Sequence, residues 1–322
     1  MKRVDPAGLP RIPPMSRRVF LAAAAALSLA ACQTVPAPAP TTVPTAPPAP
    51  PPPPPPPPVP RRPPRLGLAL GGGAARGFAH IGVIQVLEEA GIRPDLVVGT
   101  SAGSLVAALY AHGRTGTELA AMALTMDEGA ITDWAFPSRG LIRGEALARY
   151  VREQTGNQPI EQMKLPLGIV ATDLDSGAGV LFRRGDTGTA VRASSSVPAV
   201  FQPVRIGERE YVDGGLVSPV PVRYAREMGA EMVIAVDISS PPDGAATDGT
   251  LRLLLQTFAI MGKSINRFEL READVVLRPA LVGVSSADFT SRVRAIRAGR
   301  EKATELLPEI RSRLQALARP AG

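Results

Sequence analysis

A single cysteine, Cys32, and two histidines, His80 and His112, stand in 322 residues. One cysteine excludes an intrachain disulfide framework and any Cys-rich zinc or iron–sulfur site. Two histidines leave little material for a His-based metal centre or a Ser-His-Asp triad. The apolar run Val19–Ala31 is 13 residues long, interrupted by Ser28, and too short to span a bilayer as a helix. Excess positive charge is missing from the body of the chain. The formal net charge is +7, but residues 1–64 hold seven basic groups and one acidic group, which leaves 29 basic and 28 acidic groups beyond them. The high isoelectric point therefore belongs to the N-terminal segment and gives no reason to expect a nucleic-acid partner.

Proline is abundant and unevenly placed. Eighteen of the 35 prolines lie between Pro36 and Pro64, nine of them consecutive at 50–58. Proline fixes φ and removes an N–H donor, so this stretch predicts a stiff polyproline II spacer, about 100 Å long at ~3.1 Å per residue. A PxxP-type docking peptide and a segment contacting the cell wall are the alternatives, and composition specifies no partner. Upstream, five basic residues in 1–18 precede the apolar run, which has the layout of an export signal. Ser16-Arg17-Arg18-Val19-Phe20-Leu21 resembles a twin-arginine motif, and Leu29-Ala30-Ala31-Cys32 resembles the lipobox of bacterial lipoproteins. That resemblance implies an export signal over 1–31 and an acylated Cys32 at the head of a Pro-rich, disordered tether over 32–64. It also implies a membrane-anchored chain on the periplasmic side. Gln33, standing where an Asp would retain the chain at the inner membrane, points to the outer membrane.

Residues 65–322 alternate short apolar runs with helical periodicity. Strands are predicted at Leu66–Leu70, Asp95–Gly99, Leu167–Ala171, Met232–Val236 and Val275–Leu277. Helices are predicted at 79–90, after Gly103, and at 144–155, 219–228, 251–270 and 292–318. Apolar, non-alternating strands between helices predict an α/β fold with a mainly parallel sheet flanked by helices. A loop is predicted at Pro241–Thr250.

Three places carry candidate chemistry. Gly99-Thr100-Ser101-Ala102-Gly103 is a G-x-S-x-G motif between a predicted strand and a predicted helix, the setting of a nucleophile elbow. Gly71-Gly72-Gly73-Ala74-Ala75-Arg76-Gly77 is a turn whose N–H groups can converge on an oxyanion. A dinucleotide fingerprint fails there at Arg76, and a phosphate-binding P-loop fails at Phe78-Ala79. Ser101 needs a base, and His112 is ~16 Å away along the same helix. The carboxylate in a special context is Asp213, in Tyr211-Val212-Asp213-Gly214-Gly215. From spacing alone it reads rather as the Asp of an Asp-Gly turn. Asp173 and Asp175 read as turn-fixing residues. Trp134 and Phe136 read as loop anchors or as contacts at a pocket mouth, and the basic helix 292–318 as the solvated face of a packing helix, in preference to a contact for an anionic membrane surface.

Taken in order, GGGAARG at 71–77, GTSAG at 99–103, Ala193-Ser194…Pro198 and DGG at 213–215 resemble the patatin-like phospholipase family. The resemblance covers Leu66 to Ser239. It implies a three-layer patatin-like fold and a Ser–Asp dyad without histidine, with Ser101 as nucleophile and Asp213 as base. Gly99 and Gly103 would flank the elbow, and Gly214 and Gly215 would follow the base. It further implies an oxyanion hole from Gly71, Gly72 and Gly73 with Arg76 beside them, a structural His80, and neither metal nor cofactor. The implied activity is hydrolysis of carboxylic esters of phospholipids or related lipids. An acyltransferase on the same dyad and a non-catalytic lipid- or protein-binding lipoprotein remain as alternatives.

Overall fold

The computed structural model describes residues 61–127, 129, 133, 140–239, 249–284 and 289–320. The export signal, Cys32, the tether up to residue 60, Trp134, Phe136 and most of the loop after Ser239 lie outside them. In chain order the elements are β1 (Arg61–Arg62), β2 (Leu66–Leu70), α1 (Phe78–Glu89), β3 (Leu96–Thr100), α2 (Ala102–His112), α3 (Gly116–Thr125), β4 (Gly140–Ile142), α4 (Glu145–Gln154), β5 (Leu167–Asp173) and β6 (Gly179–Phe182). There follow α5 (Thr187–Ser194), β7 (Ala199–Phe201), β8 (Val204–Ile206), β9 (Arg209–Asp213), α6 (Val222–Glu227), β10 (Met232–Val236), α7 (Thr250–Glu269), β11 (Val275–Leu277), α8 (Arg292–Ala316) and β12 (Arg319–Pro320).

The main sheet runs β11-β10-β2-β3-β5-β9-β8, with β6 also on β5. From β11 to β5 every pairing is parallel; β6, β8 and β9 are antiparallel. This is the expected α/β architecture with a mainly parallel sheet. β2, β3, β5 and β10 are buried at every residue. That burial is why they read as unbroken apolar runs rather than alternating ones. Helices pack on both faces. One core gathers residues of α1, α2, α3 and α8, and the other residues of α6 against Ala69, Val98, Val170 and Val233.

Two glycines let α8 close on α1. A Cβ at Gly82 would lie 2.0 Å from the Ile296 carbonyl, and one at Gly299 would lie 2.0 Å from the Ala79 carbonyl. The two helices therefore cross backbone to backbone; Arg294, Arg297, Arg311 and Arg313 of α8 are exposed, Arg300 pairs with Glu89 at 2.7 Å, and Arg292 turns inward to the Ala123 carbonyl. The packing-helix reading of 292–318 holds on this geometry. α3 and α5 are additions to the predicted elements. α3 opens with a full capping box, Thr115 to Glu118, a signature visible in the sequence.

Candidate active site

The strand β5 assembles the site. Ile169 pairs with Gly99 of β3 on one flank and Phe182 of β6 on the other. Ala171 pairs with Val180 of β6 and with Asp213 of β9. β3 and β9 therefore share one flank of β5. β3 ends at Thr100, opposite Val170, and β9 ends at Asp213, opposite the next residue, Ala171. The two strands meet head to head, and the chain leaves both at that point.

At the end of β3 the backbone turns sharply. Ser101 adopts φ 52° and ψ −124°, a conformation that L-residues rarely hold and that costs on the order of 1–3 kcal/mol. Its neighbours leave no room for side chains. A Cβ at Gly99 would lie 2.4 Å from the Gly103 carbonyl, and one at Gly103 would lie 2.1 Å from the Leu70 carbonyl. This is the physical content of the G-x-S-x-G spacing. The Ser101 N–H donates to Ser194 Oγ at 2.9 Å, and that hydroxyl donates to the Val170 carbonyl at 2.5 Å. Ser104 Oγ donates to the Ser101 carbonyl at 2.6 Å, and Thr100 Oγ1 to the Ser218 carbonyl at 2.9 Å. The strained serine is thus held at both its N–H and its carbonyl, and its partner Ser194 and its neighbour Thr100 are tied in turn.

Asp213 is 5 % exposed. Its N–H donates to the Ser196 carbonyl and its Oδ1 accepts the Gly215 N–H at 2.7 Å. Gly214 must be glycine, because a Cβ there would lie 2.2 Å from the Val170 carbonyl. Burial pushes the Asp213 carboxyl up to about 6, against the stabilising Ser101 hydroxyl and Gly215 N–H. Oδ2 accepts no hydrogen bond of full geometry. The hydroxyl beside it supports the carboxylate without completing that bond, which leaves Oδ2 as an open acceptor next to a serine.

The glycine-rich loop corrects one expectation. The Gly71 N–H donates to the Val236 carbonyl at 3.1 Å and the Gly72 N–H to the Pro219 carbonyl at 2.9 Å. These two groups tie the loop to the domain and are not presented as oxyanion donors. Gly72 still has a steric task, since a Cβ there would lie 3.1 Å from Ser101 Cβ. Gly73 precedes a 3₁₀ turn, Ala74–Gly77, which no side chain caps. The first N–H groups of such a turn have no partner within it. Arg76 is buried. Its burial lowers its pKa from the ordinary value, and the charge of Asp237 opposes that shift.

The histidines fall where chemistry does not need them. His80 is fully buried, its Nε2–H donates to the Gly71 carbonyl at 2.8 Å, and burial pushes it down to about 4. It is neutral near pH 7 and braces the loop. His112 Nδ1 lies 2.9 Å from Gln158 Oε1. Asp173 fixes a turn: it accepts from the N–H groups of Asp175 and Ser176 and the Ser176 hydroxyl, and pairs with Arg209 at 2.7 Å. Those partners hold it down at about 2. Behind Ser101, Ala74, Gly77, Phe78, Ala102, Leu105 and Met122 help to line an apolar cavity of about 70 Å³.

Residues 68–226 match the sequence model of the patatin-like phospholipase family. The domain belongs to that family. An uncharacterized NTE family protein of Mycobacterium tuberculosis is 39% identical over 188 residues, 58% of this chain and 52% of that protein. A second, from the same species, is 32% identical over 269 residues, 75% of this chain and 46% of that protein. Patatin-like phospholipase domain-containing protein 6 of Mus musculus is 36% identical over 183 residues, 54% of this chain and 14% of that protein. The chain spans about half the length of the mycobacterial relatives it matches. Among solved structures, VipD of Legionella pneumophila superposes with a TM-score of 0.52 at 14% identity, covering 77% of this chain and 68% of that one. That likeness shows the shared patatin-like fold.

Proposed function

We propose that this patatin-like domain is a serine acyl hydrolase that cleaves carboxylic esters of phospholipids or related lipids. The observation that carries the reading is the buried Asp213 carboxyl beside Ser101, with its open Oδ2 and raised pKa. In this mechanism Oδ2 takes the hydroxyl proton as Ser101 Oγ attacks the ester carbonyl. A base near 6 is stronger than an ordinary carboxylate and still ionised at neutral pH. The N–H of Gly73, with those opening the turn after it, would stabilise the tetrahedral oxyanion. Asp213 returns the proton to the leaving alcohol. It then deprotonates the water that releases the acyl group from Ser101. The family's name supports a lipid substrate.

The test is ester hydrolysis by the purified chain. Ser101→Ala should reduce it to background. Asp213→Asn should lower kcat by about 10²–10⁴-fold, the range of a lost general base. A wild type inert on a broad panel of esters, or variants that keep its activity, would overturn the reading. We also propose that the domain works as an exported lipoprotein, anchored at a membrane through acylated Cys32 and spaced from it by the Pro-rich tether. Labelling with a radioactive fatty acid should mark the wild type and not Cys32→Ala, and a wild type that takes up no label would remove that anchor.

A further inference from the structure

Helix α7 breaks the usual rule for a surface helix, that the outward row is polar. It seats on the domain through Gly262, Asn266 and Glu269, which are buried. At about 100° per residue the opposite side carries Leu253, Ile260 and Phe268, with Leu254 and Met261 on its flank. These five are 40–64% exposed. Leu251 and Leu255, toward the start of the helix, are exposed as well although they lie on the seated side. Polar positions do not dilute them with acid: from Thr250 to Phe268 the charged residues are Arg252, Lys263 and Arg267, all cationic.

The foot of α7 is bolted to the catalytic loops. Glu269 accepts the Ser218 hydroxyl at 2.5 Å, and Asn266 donates to Ser239 Oγ at 3.0 Å. A Cβ at Gly262 would sit 3.5 Å from the Pro219 ring. The carbonyls of Ser218 and Pro219 hold Thr100 Oγ1 and the Gly72 N–H. Whatever α7 rests on is therefore set at a fixed distance from Ser101.

We infer that α7 is an interfacial docking helix that lies flat on an anionic lipid surface and presents the site to it. A fluid bilayer accepts an irregular apolar row without shape complementarity, and the flanking cations match anionic head groups. Among the described residues no helix is long and apolar enough to cross a membrane, so the helix lies on the surface rather than spanning it. The inference names the physical form of the substrate and rests on the proposed lipid hydrolysis.

The test compares the full-length chain with Leu254→Asp/Met261→Asp, both carrying Cys32→Ala so that no acylated anchor takes part in vesicle binding. Vesicles of phosphatidylglycerol and of phosphatidylcholine are used, alongside a soluble short-chain ester. The double variant should keep soluble-ester hydrolysis within about two-fold, as for other surface changes. It should lose at least ~10-fold in sedimentation with phosphatidylglycerol vesicles and in hydrolysis of their lipid, the scale of two lost apolar contacts. Arg252→Gln/Lys263→Gln should weaken both on phosphatidylglycerol and leave phosphatidylcholine unaffected. Unchanged vesicle binding in the Asp variant overturns the inference. If that variant also converts a dimer to a monomer, the row is covered by a second copy instead. If the wild type cleaves neither ester nor vesicle lipid, the hydrolase reading falls, while sedimentation still decides the docking.

Discussion

Ser101 and Asp213 face each other because the strands that carry them, β3 and β9, end head to head on one flank of β5. The register puts Thr100 against Val170 and Asp213 against Ala171, so a two-residue stretch of one central strand sets the spacing of the pair. Ser194, at the end of α5, links the Ser101 N–H to the Val170 carbonyl and closes the same unit.

The Asp213 value sets a pH profile. Catalysis by the carboxylate should make kcat/KM rise through about pH 6 and level off above it. A histidine can mimic such a profile, so the attribution needs a control. His80 lies at about 4 and is neutral throughout that range. His112→Ala should leave the inflection in place. An inflection that vanishes in His112→Ala would mean that Asp213 is not the titrating base.

The same raised value gives Asp213 a cost in stability. Its folded pKa is near 6 and its ordinary value is 3.8. The folded chain binds the extra proton between those values, so stability falls as pH rises from about 4 to 6 and stays lower above. Asp213→Asn removes the buried charge and keeps an acceptor for the Gly215 N–H. Thermal unfolding at pH 8 should show this inactive variant more stable than the wild type by about 1–3 kcal/mol. The gain should vanish below pH 4.

Gly73→Ala tests the oxyanion site. A Cβ there would lie 2.8 Å from Ile238 Cδ1 and 2.9 Å from the Ile238 carbonyl, so the loop must shift. We expect kcat to fall by about 10²–10³-fold with little change in KM, the pattern of an interaction made in the transition state. Steady-state kinetics on a soluble ester reads both constants. A rise in KM at constant kcat would place Gly73 in ground-state binding instead.

Ser194→Ala leaves the Ser101 N–H and the Val170 carbonyl without their buried partner. Each orphaned group costs about 1–3 kcal/mol. The elbow should relax, and kcat should fall even where circular dichroism shows a folded chain. Ser194→Thr, which keeps the hydroxyl, should recover more activity than Ala. Equal activity in Ala and wild type would make the hydroxyl a packing group.

Parts of the fold were open to reading because their signals are local. β2, β10 and β11 fall on the apolar runs that predict them, and α4, α7 and α8 shift by only one or two residues at their ends. Buried parallel strands cannot alternate, so their runs are continuous. The short strands β4, β6, β7 and β8 lack such a signal, since three or four residues carry too little periodicity to read. Gly99, Gly103 and Gly214 were legible as a pattern, and the structure supplies the backbone contacts that require them.

Residue types and local order were fixed by the chain alone. One cysteine, two histidines, a strand–serine–helix turn and a glycine-rich loop already pointed away from metals and triads and toward Ser101, while Asp213 was singled out by the family resemblance. What only the tertiary structure decided is long-range. Asp213 becomes distinct from an ordinary turn aspartate when β9 pairs with β5 and burial lifts its pKa. Gly71 and Gly72 lose their N–H groups to Val236 and Pro219, strands and turns more than a hundred residues away. The apolar row of α7 reads as an ordinary core face until the packing shows it turned outward. Each of these depends on which surfaces meet and which are dehydrated, and no local pattern carries that information.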